Sequence, residues 1–116
     1  MPARDEIPPG TLHLLILRTL ERHGQLHGFE IADSIQQTTE DVLRVEEGSL
    51  YPALQRMLIK GWIEGKWGVT SANRRARYYR ITPLGRKQLA AELSQYERVA
   101  GAIARVLNPA WENSPA

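Results

Sequence analysis

Residues 48–81 read GSLYPALQRMLIKGWIEGKWGVTSANRRARYYRI. Leu50, Leu54, Met57 and Leu58 recur at i, i+4, i+7 and i+8, which gives a helix with one core-facing side. Tyr51, Gln55, Arg56 and Lys60 project elsewhere. Ser49 is the expected N-cap. Pro52 falls in the first turn, where its missing N–H costs nothing. Gly61 is the expected C-cap. Trp62 to Trp67 and Arg77 to Ile81 are strand-like, and the turn formers and cations at 68–76 join them as a hairpin. A helix, a hairpin and a basic tip in that order make a winged helix. Trp62 and Trp67 are expected in the hairpin core, and Arg80 is expected to serve the hairpin.

Upstream, Ile7-Pro8-Pro9-Gly10 is an extended entry, because proline biases its predecessor away from helix. Thr11 can N-cap a first helix from about Leu12 to Arg22, ending near Gly24. Leu12, Leu15, Ile16 and Leu20 form one stripe, with Leu14 and Leu17 off it. An ordinary surface helix has one apolar face. The wider surface predicts packing on two sides, with Leu14 and Leu17 assigned to a second subunit. A short second helix spans Gly28 to about Thr38, with Phe29, Ile31, Ala32 and Ile35 on its apolar side. Thr39 to Val45 reads as a loop or short extended stretch.

Downstream, Thr82-Pro83 starts a helix with threonine as N-cap and proline at the first helical position. It can continue to Asn108-Pro109, on the order of 36 Å at ~1.5 Å per residue. Leu89, Leu93, Tyr96, Ala100, Ile103 and Leu107 are spaced as an a/d seam. So long a helix cannot bury this whole seam on a small domain. The expected organisation is a DNA-binding winged helix-turn-helix at 1–81 (wing about 62–81), a dimerisation helix at 82–108 and a loose tail at 109–116. The class is mainly α with a small β-hairpin.

Composition narrows the function. The chain has 116 residues, 42% of them hydrophobic, which suits a single folded domain rather than a disordered chain. It contains no cysteine, which excludes disulfides and thiolate chemistry. No apolar run reaches membrane-spanning length and the start lacks a signal-type apolar segment, so a cytoplasmic protein with no membrane partner is expected. The net charge of +2 hides an asymmetry. Met1 to Leu50 holds four Arg against nine Asp or Glu. Lys60 to Lys87 holds eight Lys or Arg against Glu64 alone. Concentrated positive charge is the footprint of a polyanion partner. No catalytic constellation, phosphate loop or metal-ligand set is present, so no enzyme activity and no cofactor are expected. His23 and His27 stand at i, i+4 across Gly24 and read as capping or surface residues.

Two short helices followed by a third form a helix-turn-helix, whose last helix enters the major groove. On it, Ser49 and Tyr51 offer hydroxyls, Gln55 can read a base edge, and Arg56 and Lys60 can neutralise phosphates. Asn73, Arg74, Arg75 and Arg77 supply the wing tip, which can lie along the backbone or enter a narrow minor groove. A winged helix can also serve as a protein- or RNA-binding module, since fold alone does not decide function. The basic tip favours nucleic acid, and the seam of the last helix fits a duplex-binding dimer better than a single-strand binder, which would want exposed aromatics.

His27-Gly28-Phe29-Glu30-Ile31-Ala32, Gly48 to Leu54, Lys60-Gly61-Trp62-Ile63, Asn73 to Tyr79 and Leu84-Gly85-Arg86 resemble segments of the PadR family of transcriptional regulators. The resemblance covers about Leu12 to Leu107 and is nearest to a short, acidobacterial PadR-like subgroup. It implies a homodimeric repressor on a pseudo-palindromic operator, joined through its last helix and often released by a small-molecule effector. Only one helix follows the wing, so the effector pocket of longer members does not carry over. Some short members hold flat aromatic compounds beside a tryptophan on the last helix. Here that face presents Tyr96, with Trp111 beyond Pro109.

Overall fold

In the computed structural model, which describes residues 5–108, strand β5 (Arg75–Ile81) is the middle strand of a three-stranded antiparallel sheet. On one side it pairs with β4 (Ile63–Val69) over the full hairpin, from Ile63 opposite Ile81 to Val69 opposite Arg75. On the other it pairs with β2 (Gln25–His27), a strand the sequence did not announce. A second, two-residue parallel pairing joins β1 (Asp5–Glu6) to β3 (Leu43–Arg44). Four helices complete the chain: α1 (Leu12–His23), α2 (Gly28–Thr38), α3 (Glu47–Ile59) and α4 (Pro83–Leu107). The architecture is a winged helix-turn-helix followed by one long helix.

Helix α1 is the centre of the domain. It contacts α2, α3, α4 and β5. Leu14, Ile16, Leu17 and Leu20 are all buried within the single chain. This corrects the assignment of Leu14 and Leu17 to a subunit interface. The broad apolar surface of α1 is wide because neighbours of the same chain surround it, and Leu17 has no accessible surface left for a partner. Thr11 bounds α1 but does not cap it. Its hydroxyl donates to the Pro8 carbonyl at 2.7 Å instead.

Helix α2 starts with a capping box. His27 Nδ1 accepts from the Glu30 N–H at 3.4 Å, and the Glu30 carboxylate accepts from the His27 N–H at 3.1 Å. His27 is therefore a capping residue, and His23 meets the Ser34 hydroxyl at 3.3 Å. Ile31 and Ile35 enter the core as expected. Phe29 does not: it is 71% exposed.

Helix α3 begins three residues earlier than the capping pattern suggests. Glu46 is the N-cap, without a side-chain hydrogen bond, and Ser49 lies inside the first turn. Pro52 consequently sits in the second turn, where it removes a backbone donor. Leu50, Ala53, Leu54 and Met57 are buried. The C-terminus is a Schellman motif: the Gly61 N–H donates to Leu58 O and the Trp62 N–H to Met57 O, each at 3.0 Å. Gly61 has φ +75°, which a β-carbon would strain.

Thr82 locks the wing to α4. Its hydroxyl accepts from Gly85 N–H at 3.0 Å and donates to Gly61 O at 2.6 Å. Its own N–H donates to Trp62 O at 3.0 Å. The first turns of α4 belong to the domain core, with Leu89 buried and Leu93 packed against the cluster. Leu89 is thus a core residue, not an interface residue. Beyond it the helix projects. The radius of gyration is 16.8 Å, against about 13 Å for a compact domain of this size. Tyr96, Val99, Ile103, Val106 and Leu107 are all exposed on the projecting half. The expected tail from 109 and Trp111 lie outside the described residues.

Candidate nucleic-acid interface

The wing strands run further than their sequence pattern indicated, which relocates its arginines. The loop is only Thr70 to Arg74. It closes through Asn73 N–H to Thr70 O at 2.9 Å and Thr70 N–H to Arg74 O at 2.8 Å. Asn73 adopts φ +60°, a left-handed position that asparagine tolerates. The first task of Asn73 is therefore to turn the chain. Arg74 stands at the tip, while Arg75 and Arg77 are strand residues. This corrects the placement of Arg75 in the loop, while Arg77 lies in the strand as its sequence pattern indicated. Strand alternation puts Arg75, Arg77 and Tyr79 on the same side as Ile63, Gly65 and Trp67.

That side faces the start of α2 and the first half of α3. Between them lies a groove of about 570 Å³, bordered by Phe29, Tyr51, Trp67, Arg74, Arg75 and Arg77. Among the described residues, none of the three arginines pairs with a carboxylate. Three uncompensated cations in one groove set up a field that attracts an anionic ligand. Arg75 lies over the Trp67 ring, 4.5 Å from its centroid. Trp67 is 56% exposed, so it is groove wall rather than hairpin core. Trp62 packs on the core with Lys60 Nζ 5.0 Å from its ring centroid.

Tyr51 both packs and stays accessible, at 47% exposure. Its ring lies across Gly28, where a β-carbon would come within 2.8 Å of the phenol. Tyr79 is buried behind the groove. Burial raises its pKa above the ordinary 10.0, against an opposing pull from Arg77 and with a smaller push from Tyr51. Its hydroxyl is a donor at neutral pH.

The remaining α3 residues are distributed along the helix. Gln55, Arg56 and Lys60 are exposed, with the apolar Ile59 between them. Ser49 lies apart, in a smaller hollow with Glu6, Arg44 and Glu46, where Arg44 pairs with Glu46 at 2.7 Å. Arg80 pairs with Glu64 on the opposite face of the wing. Phe29, Trp67, Gly28 and Gly65 were absent from the sequence-derived site. The strand alternation carried a signal for Trp67. Nothing in the pattern of α2 marked Phe29 as outward.

Among the described residues no cluster could hold a metal ion, and no helix is long and apolar enough to cross a membrane. The model of the transcriptional regulator PadR-like family matches residues 16–91. An uncharacterized protein of Lysinibacillus sphaericus is 32% identical over 83% of this chain and 87% of its own length. A transcriptional regulator from Clostridium thermocellum superposes with a TM-score of 0.75 at 30% identity, covering 83% of this chain and 92% of that one. Bacillus subtilis PadR, solved in complex with operator DNA, shares the fold with a TM-score of 0.64 at 23% identity. That match covers 75% of this chain and 48% of the other.

Proposed function

The chain belongs to the PadR-like family of transcriptional regulators, and from that premise we propose that it represses transcription as a homodimer bound to a pseudo-palindromic operator in duplex DNA. The observation that carries this reading is the groove where Tyr51 of α3 meets Arg74, Arg75 and Arg77 of the wing. A recognition helix beside unpaired wing cations can enter the major groove while the wing follows the backbone. Gln55 is the candidate for base readout. Arg56, Lys60, Arg74 and Arg75 are candidates for phosphate contacts.

The dimer is proposed on the projecting half of α4. Its exposed apolar residues continue the stripe that begins with Leu89 and Leu93 in the core. A second copy supplies the matching surface under a two-fold axis, so that Tyr96, Ala100, Ile103 and Leu107 meet their equivalents or the partner's first helix. Two recognition helices then address half-sites ~34 Å apart. A small-molecule effector acts most directly here, because repacking this seam changes that spacing.

A second reading rests on the exposed rings of Phe29, Tyr51 and Trp67, since stacking platforms bind single strands. Gel-shift competition separates them. Duplex must outcompete single-stranded DNA and RNA of the same sequence; the reverse order refutes the duplex reading. Light scattering at micromolar concentration must give twice the chain mass, and a folded monomer refutes the dimer. Arg74→Ala and Arg75→Ala are each expected to reduce the slope of log affinity against log salt by roughly 0.9.

A further inference from the structure

Arg77 differs from the other wing cations. Its Nε is buried without a hydrogen-bond partner. The guanidinium lies against Gly65 of the neighbouring strand, where a β-carbon would stand 2.5 Å from Nε, 3.1 Å from Cζ and 3.2 Å from Nη2. It is also 6.0 Å from the Tyr79 ring centroid. By contrast Arg74 is an exposed tip residue and Arg75 rests on the exposed Trp67. Across the groove the Tyr51 ring is seated in the same manner on Gly28. Two glycines, one on each wall, make room for two polar side chains that border one cavity.

We propose that Arg77 and Tyr51 form a pre-set clamp for a single DNA backbone phosphate, and that Gly65 and Gly28 are its positioning residues. This rests on the duplex-binding reading above. A guanidinium whose rotamers are already restricted gives up less entropy on binding than a free surface arginine. Its planar fork can offer two parallel N–H groups to phosphate oxygens, and the Tyr51 hydroxyl can donate a third bond. The N-terminus of α2 is not part of the clamp, because Glu30 already caps it. The clamp fixes the protein's register on the duplex, whereas the tip arginines supply attraction that tolerates movement.

The test is a double-mutant cycle on operator affinity with Gly65→Ala and Arg77→Ala, together with Arg77→Lys, each checked by thermal melting. Arg77→Ala is expected to weaken binding about tenfold or more and to lower the salt slope by roughly 0.9. Arg77→Lys keeps the charge and the slope but loses several-fold in affinity, because a lysine cannot present the fork. Gly65→Ala weakens binding in the wild type and adds nothing in the Arg77→Ala background. Additive effects of the two changes, or full affinity in Arg77→Lys, overturn the clamp. If the unmodified protein binds duplex DNA and Arg77→Ala binds equally well, the clamp alone falls. If the unmodified protein binds no duplex, the duplex reading falls and takes the clamp with it.

Discussion

Gly85→Ala sets helix propensity against packing within one helix. An interior helical glycine replaced by alanine gains about 1 kcal/mol where the site has room. At Gly85 it does not. A β-carbon there would stand 2.0 Å from the Trp62 carbonyl oxygen and 2.8 Å from Ile81 Cγ1. An unstrained carbon–oxygen contact is about 3.3 Å, so backbone must move by more than an ångström. That carbonyl also accepts the Thr82 N–H. Overpacking costs about 1–3 kcal/mol and a disturbed hydrogen bond about 1 more. After subtracting the propensity gain, the expected net loss is about 1–3 kcal/mol. At about 4–8 °C per kcal/mol for a small domain, the melting temperature falls clearly. Gly101 in the same helix is the control. Its nearest neighbour is Arg105 Nη1 at 3.9 Å, so Gly101→Ala should gain close to 1 kcal/mol. Both variants are melted at one fixed protein concentration, because association shifts apparent stability. A raised melting temperature for Gly85→Ala refutes the close seating of α4 on the wing.

Leu17→Ala should cost about 2–5 kcal/mol in urea denaturation, as a fully enclosed leucine does; the loss should not depend on protein concentration, and a dependence would return Leu17 to the subunit interface. His13 meets the Trp62 ring edge-on at 6.0 Å, and its pKa lies below 6.5 through burial, Arg56 and Lys60, against the opposing pull of Glu92. The unfolded chain therefore takes up this proton first as pH falls. The contribution of His13 is full above about pH 6.5 and is lost below it, a dependence that His13→Gln should flatten in pH-resolved denaturation. Arg80→Ala removes only an exposed pair with Glu64 on the far face of the wing; stability should change by less than about 1 kcal/mol and operator affinity should hold, which a gel shift checks.

Much of this organisation was legible in the chain because it rests on local chemistry. The positions of Leu50, Leu54 and Met57 follow from helical spacing alone, and Thr82-Pro83 and Gly61 act through backbone geometry that needs no partner. What escaped depends on distant residues. The strand at Gln25–His27 is three residues long and exists because β5 has a free edge to offer. Leu14 and Leu17 could be seen to be apolar, but only the packing of α2, α3, α4 and β5 around α1 decides that they face inward. Trp67 shares a face with the core residue Ile63, yet it lies two pleats farther out, past the edge of the core. The outward placement of Tyr51, Gln55, Arg56 and Lys60 on α3 was legible from helical spacing. The seating of Arg77 on Gly65 was not, because the two are apart in sequence and meet only through strand register.

Only Thr82 separates β5 from α4, and its three hydrogen bonds leave no slack between them. Wing and helix therefore move as one stiff lever with its fulcrum at this threonine. The arm from Thr82 to the tip is seven residues of strand, about 23 Å at ~3.3 Å each. A turn of about 10° in α4 sweeps the tip by about 4 Å, more than one ~3.4 Å base-pair step. In a two-fold assembly both tips swing together. If the proposed dimer forms through α4, the crossing angle of its two long helices becomes a gauge of whether the wings fall in step with the duplex.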